Sequence, residues 1–120
     1  MIDIETTSLE LSRRLHILEL DTGYTFQWYK SYTKNDWGIS YDMTGPSNVC
    51  LPAYTDADLW NVLPDYTELI RKNEEGSLYY CGLDSLFFMG KAGEYHWTWG
   101  DTPVEALGLM VEFLLKLEVI

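Results

Sequence analysis

The side chains of this 120-residue chain that could do chemistry are two histidines, two cysteines and a large excess of carboxylates. Catalysis needs acids, bases or nucleophiles within mutual reach, and the sequence offers few such sets. His16 falls beside the apolar stripe of a predicted helix and His96 on the polar face of a predicted strand, so each reads as a structural or surface residue. The serines follow no nucleophile-elbow pattern, and the glycines fit neither the phosphate-loop nor the dinucleotide-binding spacing. Cys50 and Cys81 lack both a paired CxxC and a neighbouring histidine, so a zinc site is not expected. Both sit in apolar, strand-like surroundings and read as reduced buried thiols, with a disulfide between neighbouring strands as the alternative. No cofactor and no metal is expected.

Charge narrows the partners. Nineteen acidic residues against eight basic ones give a formal net charge of −11, which repels phosphate. The basic residues cluster only at Arg13-Arg14 and Arg71-Lys72, too few for the counterion release that nucleic-acid binding needs. The expected partner is another protein, and long-range attraction favours a basic one. Acidity also serves simply to keep an aromatic-rich domain soluble. Paired carboxylates beside Trp and Tyr raise the option of sugar chemistry. However, Asp56, Asp58 and Glu105 fit helix starts and Asp36, Asp84 and Asp101 fit turns, which removes many candidates.

Aromatic density is the better clue. Aromatic residues make up 15% of the chain, more than one face of a small sheet can hold if its other side is wet. Trp28, Trp37, Tyr41, Tyr95, Trp97 and Trp99 form the candidate interaction surface, because Trp and Tyr combine a large apolar body with a polar tip. Cross-strand aromatic pairs that only stabilise a sheet are the competing account.

The elements that must position these residues follow from periodicity. Thr7 to Leu20 reads as a helix, with Thr7 as N-cap, Glu10 completing a capping box, Leu11, Leu15 and Leu18 as its stripe, and Gly23 suited to a left-handed end. Arg13 and Arg14 read as a solvated face. Tyr24 to Tyr32 and Trp37 to Met43 alternate as a hairpin, and Val49 to Leu51 is a short third strand. Thr55 caps a helix whose buried side is Leu59, Trp60 and Leu63, and Pro64 stops it. Asp65 to Gly76 is a connector holding one short strand at Thr67 to Ile70. Ser77 to Cys81 and Ser85 to Gly90 are strands separated by a turn at Gly82-Leu83-Asp84.

The last strand, Glu94 to Trp99, puts Tyr95, Trp97 and Trp99 on one face and Glu94, His96 and Thr98 on the other. It leads to the Gly100 to Leu117 helix. There Thr102, Pro103 and Glu105 form a capped start, and Leu107, Met110, Val111, Leu114 and Leu117 make a stripe so wide that it must be covered. The predicted whole is one α+β domain over residues 1–120, an antiparallel sheet of about five or six strands with two or three helices packed on one face. The N-terminus lacks the features of a signal peptide, and the most apolar run is too short to span a bilayer, so a cytoplasmic protein without membrane contact is expected.

The segment Trp99-Gly-Asp-Thr-Pro-Val-Glu-Ala106 resembles the G-D-T-x-x-E-A segment of the HicB family of antitoxins. That resemblance implies a small α+β domain that masks a toxin's active site. No DNA-binding segment is seen after Ile120, so autoregulation is not expected. The broader order, Leu-Ser-Arg-Arg-Leu15, then Leu51-Pro-Ala-Tyr-Thr-Asp-Ala-Asp-Leu59 and the terminal helix, is similar to small uncharacterised proteins of bacterial phages and mobile elements. The leading expectation is a non-catalytic protein-binding domain of such origin. An antitoxin-like or nucleic-acid-mimic inhibitor, with its carboxylates on one continuous face, and a small carbohydrate-active enzyme, with two carboxyls across an aromatic cleft, are the alternatives.

Overall fold

The computed structural model describes residues 5–30, 36–41, 50–71, 78–86, 90 and 94–120. Among them the chain runs α1 (Leu9–Ile17), β1 (Phe26–Lys30), β2 (Trp37–Tyr41), β3 (Cys50–Ala53), α2 (Asp56–Trp60), β4 (Glu68–Arg71), β5 (Tyr79–Asp84), β6 (Tyr95–Gly100) and α3 (Pro103–Lys116). The α+β class and the antiparallel pairing are as expected. The single sheet is not: the six strands form two three-stranded sheets, ordered β2-β1-β3 and β4-β5-β6. One reason lies in β3, where Pro52 stands opposite Gln27 in the strand itself. A residue without an N–H suits a sheet edge and discourages a further strand on that side. Past Ala53 the capped helix α2 and Pro64 turn the chain away to begin the second sheet.

Helix α3 is the centre of the core. Thr102 caps it by accepting from the Glu105 N–H at 3.2 Å, and Pro103 occupies its first turn. Val104, Ala106, Leu107, Met110, Val111 and Leu114 are all buried, as a helix apolar over most of its circumference requires. The covering is shared: β5 and β6 lie along one side, while α1 and α2 pack on others. Leu117, predicted as the end of the stripe, is exposed instead, because it lies past the last turn as the C-cap. Two glycines permit the close approaches. A Cβ on Gly100 would stand 2.7 Å from Glu105 Cβ, and one on Gly108 would stand 2.7 Å from Leu11 Cδ2, so α1 crosses α3 where a side chain is missing.

Helix α1 starts one residue later than predicted. Ser8, not Thr7, is the N-cap, its hydroxyl accepting from the Leu11 N–H at 3.3 Å. Glu10 closes no capping box. Its place is taken from outside the helix, because the Ser8 N–H donates to the Glu105 carboxylate of α3. Thr7 is fully buried and serves as a polar hub. Its Oγ1 lies 2.6 Å from Ser12 Oγ and accepts from the Tyr54 N–H, while its carbonyl accepts from Trp28 Nε1 at 3.1 Å. One residue thereby joins the N-terminal segment to the first sheet and to the entry of α2. The helix also ends early, at Ile17, with Glu19 rather than Gly23 in the left-handed region at φ 59°.

Arg14 does not belong to a solvated face. Its guanidinium grips Glu112 with Nε–Oε2 at 2.6 Å and Nη2–Oε1 at 3.4 Å, and Glu112 is nearly buried on α3. The Glu112 hydrogen bond raises the Arg14 pKa above its ordinary value, against the opposing pull of burial. Arg13 is exposed and sits 5.8 Å from the centre of the Trp37 ring. Helix α2 bears out its predicted cap and adds to it: Asp58 accepts from the Thr55 N–H at 3.0 Å while Thr55 accepts from the Asp58 N–H. Leu59 and Leu63 are buried, but Trp60 is exposed, since a helix this short turns only one side inward.

Strand β5 runs straight through Gly82, Leu83 and Asp84, the predicted turn. Ser85 and Leu86 are then turn and helical residues rather than the start of a strand, and 87–89 lie outside the described residues. The short strand predicted near Thr67 to Ile70 is β4. Met43 and the predicted strand residues Tyr32 and Val49 lie outside the described residues.

Candidate protein-binding face

The second sheet carries the feature that stands out. Alternation along β6 turns His96 and Thr98 toward α3 and Tyr95, Trp97 and Trp99 to the opposite side. The face toward the helix is thus the more polar one. It is accommodated by specific contacts: Thr98 Oγ1 donates to the Ala106 carbonyl at 2.8 Å, and the His96 ring stacks on Phe113 with centroids 3.6 Å apart and planes 6° apart. Desolvation lowers the pKa of His96 from 6.5. On the other side Tyr95 is 46%, Trp97 36% and Trp99 59% exposed.

These rings are ordered by their neighbours. Gly82 stands opposite Trp97 in the register, and a Cβ there would overlap the Trp97 ring, so the glycine makes a seat for the indole. Tyr95 stacks on Trp97 at 5.6 Å and 24°, and Trp99 meets Tyr80 at 6.5 Å. Aromatic pairs of this kind contribute roughly 0.5–1.5 kcal/mol each beyond area burial. Glu68 and Asp84 lie on the same face by alternation, and Asp65, Tyr66, Glu68, Asp84 and Tyr95 line a hollow of about 440 Å³ at its margin. A second groove, of about 530 Å³, runs between β6 and α3 and is floored by Leu109 and Phe113, with Glu112 and Lys116 at its side.

The other three candidate residues lie elsewhere. Trp28 and Trp37 are half-buried in the first sheet, opposite Leu51 and Lys30, and both have structural partners: the Thr7 carbonyl for Trp28 and Arg13 for Trp37. Tyr41 pairs with Phe26 through the backbone of β2, and its side chain is outside the described set. The six therefore split between two sheets, three of them forming one continuous row. Tyr80 belongs with that row. Its membership depends on the β5–β6 register, which the local pattern of residues 77–81 does not carry.

Both cysteines are free and sit in different sheets. Burial pushes the Cys81 thiol up to about 12, against the opposing effect of its hydrogen bond with Thr98. Burial also pushes the Tyr54 phenol up to about 12, with Tyr24 and Asp58 adding to the effect. Neither shift prepares a nucleophile, since each favours the neutral form. Among the described residues no group of three or more His, Cys, Asp or Glu side chains is placed to hold a metal ion. Several carboxylates have hydrogen-bond partners within the fold: Asp56 and Asp84 with nearby N–H groups, Asp58 in its capping box, Glu105 at Ser8 and Glu112 at Arg14. No helix among the described residues is long and apolar enough to cross a membrane. Comparison of the chain with protein-family models, with curated proteins and with solved structures gives no match.

Proposed function

We propose that the chain is a non-catalytic protein-binding domain, of phage or mobile-element origin, that engages a basic partner through the outer face of its second sheet. The observation that carries this reading is the row of Tyr95, Trp97 and Trp99, exposed on the side away from α3 and held by Gly82, Tyr80 and one another. Ordered aromatic rings lose little entropy on contact and anchor interfaces well. A net charge of −11 adds long-range attraction for a basic surface. An inhibitor imitating nucleic acid needs free carboxylates in a continuous array. The engagement of Asp58, Glu105 and Glu112 within the fold favours the aromatic row as the contact instead.

The test is affinity capture from host extract at low and at moderate salt, comparing the native chain with Trp99→Ala. Trp99 is the most exposed of the three, so its loss leaves the fold intact by circular dichroism while weakening capture at least about tenfold, the scale of a 1–2 kcal/mol anchor. Recovery of no specific partner at either salt concentration counts against the reading, as does undiminished capture by the variant.

A further inference from the structure

We propose that β6 receives an extended, basic segment of the partner as an added strand. The inference rests on reading the outer face of this sheet as a protein-binding site, and it adds how the partner is held. The Ser85 N–H donates to the Glu94 carbonyl at 2.7 Å, and the register continues with His96 opposite Leu83 and Thr98 opposite Cys81. Because hydrogen-bonded pairs alternate along antiparallel strands, the backbones of Glu94, His96, Thr98 and Gly100 face β5. Those of Tyr95, Trp97 and Trp99 face outward. Among the described residues no strand pairs with that edge.

Sheet edges are usually blunted by proline, charge, a bulge or a covering element. The run Tyr-His-Trp-Thr-Trp-Gly contains no proline and no acidic or basic residue apart from His96, and its register with β5 is unbroken. Below the edge lies the 530 Å³ groove over Leu109 and Phe113. An added strand would send alternate side chains down into this groove and the others up beside the rings of Tyr95, Trp97 and Trp99.

Charge decides the occupant. Were a second copy to pair its β6 antiparallel about Trp97, where the outward-facing backbones match, Glu94 of each chain would fall opposite Gly100 of the other, one residue from Asp101. Carboxylates brought that near one another repel, and each chain also brings a net −11. A segment with Lys or Arg at both ends places cations against Glu94 and Asp101, with Glu68 and Asp84 adding acidity on the outer face. Apolar residues at the alternate, inward positions complete its signature.

The experiment uses the full chain and a short synthetic peptide that alternates Val and Thr with Arg at each end. Affinity is read by calorimetry and the Tyr95, Trp97 and Trp99 amides by hydrogen exchange. The expected result is binding that protects these amides and weakens at least about tenfold when the peptide's backbone is N-methylated at alternate residues, or when Glu replaces both Arg. Equal binding of the N-methylated peptide overturns strand addition and leaves the basic-partner reading standing. Equal binding of the Glu-ended peptide overturns the basic occupant. Binding by none of the peptides, or a concentration-dependent dimer of the chain with the same amides protected, overturns the proposal.

Discussion

The Glu105 carboxylate of α3 accepts a hydrogen bond from the Ser8 N–H, 97 residues away at the start of α1. Glu105 Oε2 also lies 3.3 Å from the Ser8 hydroxyl. A glutamate three residues into one helix therefore closes the N-terminus of another, satisfying a donor that α1 leaves without an intrahelical partner. Replacing Glu105 by Ala should lower stability by about 1 kcal/mol, the ordinary cost of a lost helix cap. A double-mutant cycle with Ser8→Ala, measured by urea unfolding, should show a coupling of about 0.5 kcal/mol from the hydroxyl contact alone, since Ala keeps the backbone N–H; strict additivity would mean that the Ser8 hydroxyl adds nothing to the bond with Glu105.

The Arg14–Glu112 pair sits on the same two helices, nearer their other ends. Glu112 keeps only 11% of its side chain exposed, whereas Arg14 keeps 40%, so the carboxylate is the member that depends on its partner. Arg14→Met should cost roughly 2 kcal/mol, less than a fully buried pair because water reaches the guanidinium and Lys116 stands 3.9 Å from Glu112. The double variant Arg14→Met with Glu112→Leu should recover most of the loss, because it leaves no charge in the contact. Thermal unfolding of the single and double variants decides this, and a double variant as unstable as Arg14→Met would refute it.

Gly108 marks where α1 and α3 touch most closely, with Leu11 Cδ2 at 2.7 Å and Thr7 Cγ2 at 3.1 Å from the place a Cβ would occupy. Helix propensity alone favours Ala there by about 1 kcal/mol. Overpacking against Leu11 and the Thr7 hub works the other way and typically costs about 1–3 kcal/mol. Gly108→Ala should therefore be destabilising or neutral, and Gly108→Val clearly destabilising. A more stable Ala variant would show that the crossing opens freely.

What could be read in the sequence was local. Thr55 and Thr102 announce their helices because a cap and the N–H it accepts from lie within one turn, and the alternation of β6 separates Trp97 from His96 without reference to any other strand. Contacts between distant segments were not legible. In sequence Thr7 reads as a cap because nothing nearby reveals Tyr54 and Trp28, and Arg14 reads as solvated because Glu112 lies 98 residues on. Gly82 read as a turn for the same reason: its purpose is to seat an indole from another strand. The division into two sheets depends on β3 pairing back onto β1, a long-range choice that residue pattern does not encode.

Both long helices end in the same way, with glutamate where glycine is usual. Glu19 has φ 59° and Glu118 φ 57°. The Glu19 N–H donates to His16 and the Leu20 N–H to Leu15; the Glu118 N–H donates to Leu115 and the Val119 N–H to Leu114. These are paired hydrogen bonds of the Schellman type, whose left-handed residue favours glycine. Glu19→Gly and Glu118→Gly should each stabilise the protein by about 0.5–1 kcal/mol, through relief of backbone strain and removal of an anion from a helix C-terminus. The two gains should add, since the sites share none of these hydrogen bonds. Melting temperatures of the single and double variants test this, and a loss of stability in both singles would contradict it.

His96 gives the fold a pH dependence whose sign can be worked out. Its pKa in the folded chain lies below 6.5 because the strand and the Phe113 ring desolvate it, so the unfolded chain takes up a proton first as pH falls. Stability should therefore be insensitive to this group above 6.5 and decline as pH drops from there through the lowered folded value. Replacing His96 by Phe keeps a ring against Phe113 and removes the proton, so this component of the decline should vanish while the carboxylate-dependent loss at lower pH persists. The His96 imidazole resonances should titrate below 6.5 in the native protein; titration at or above that value would place the ring in water rather than against the helix.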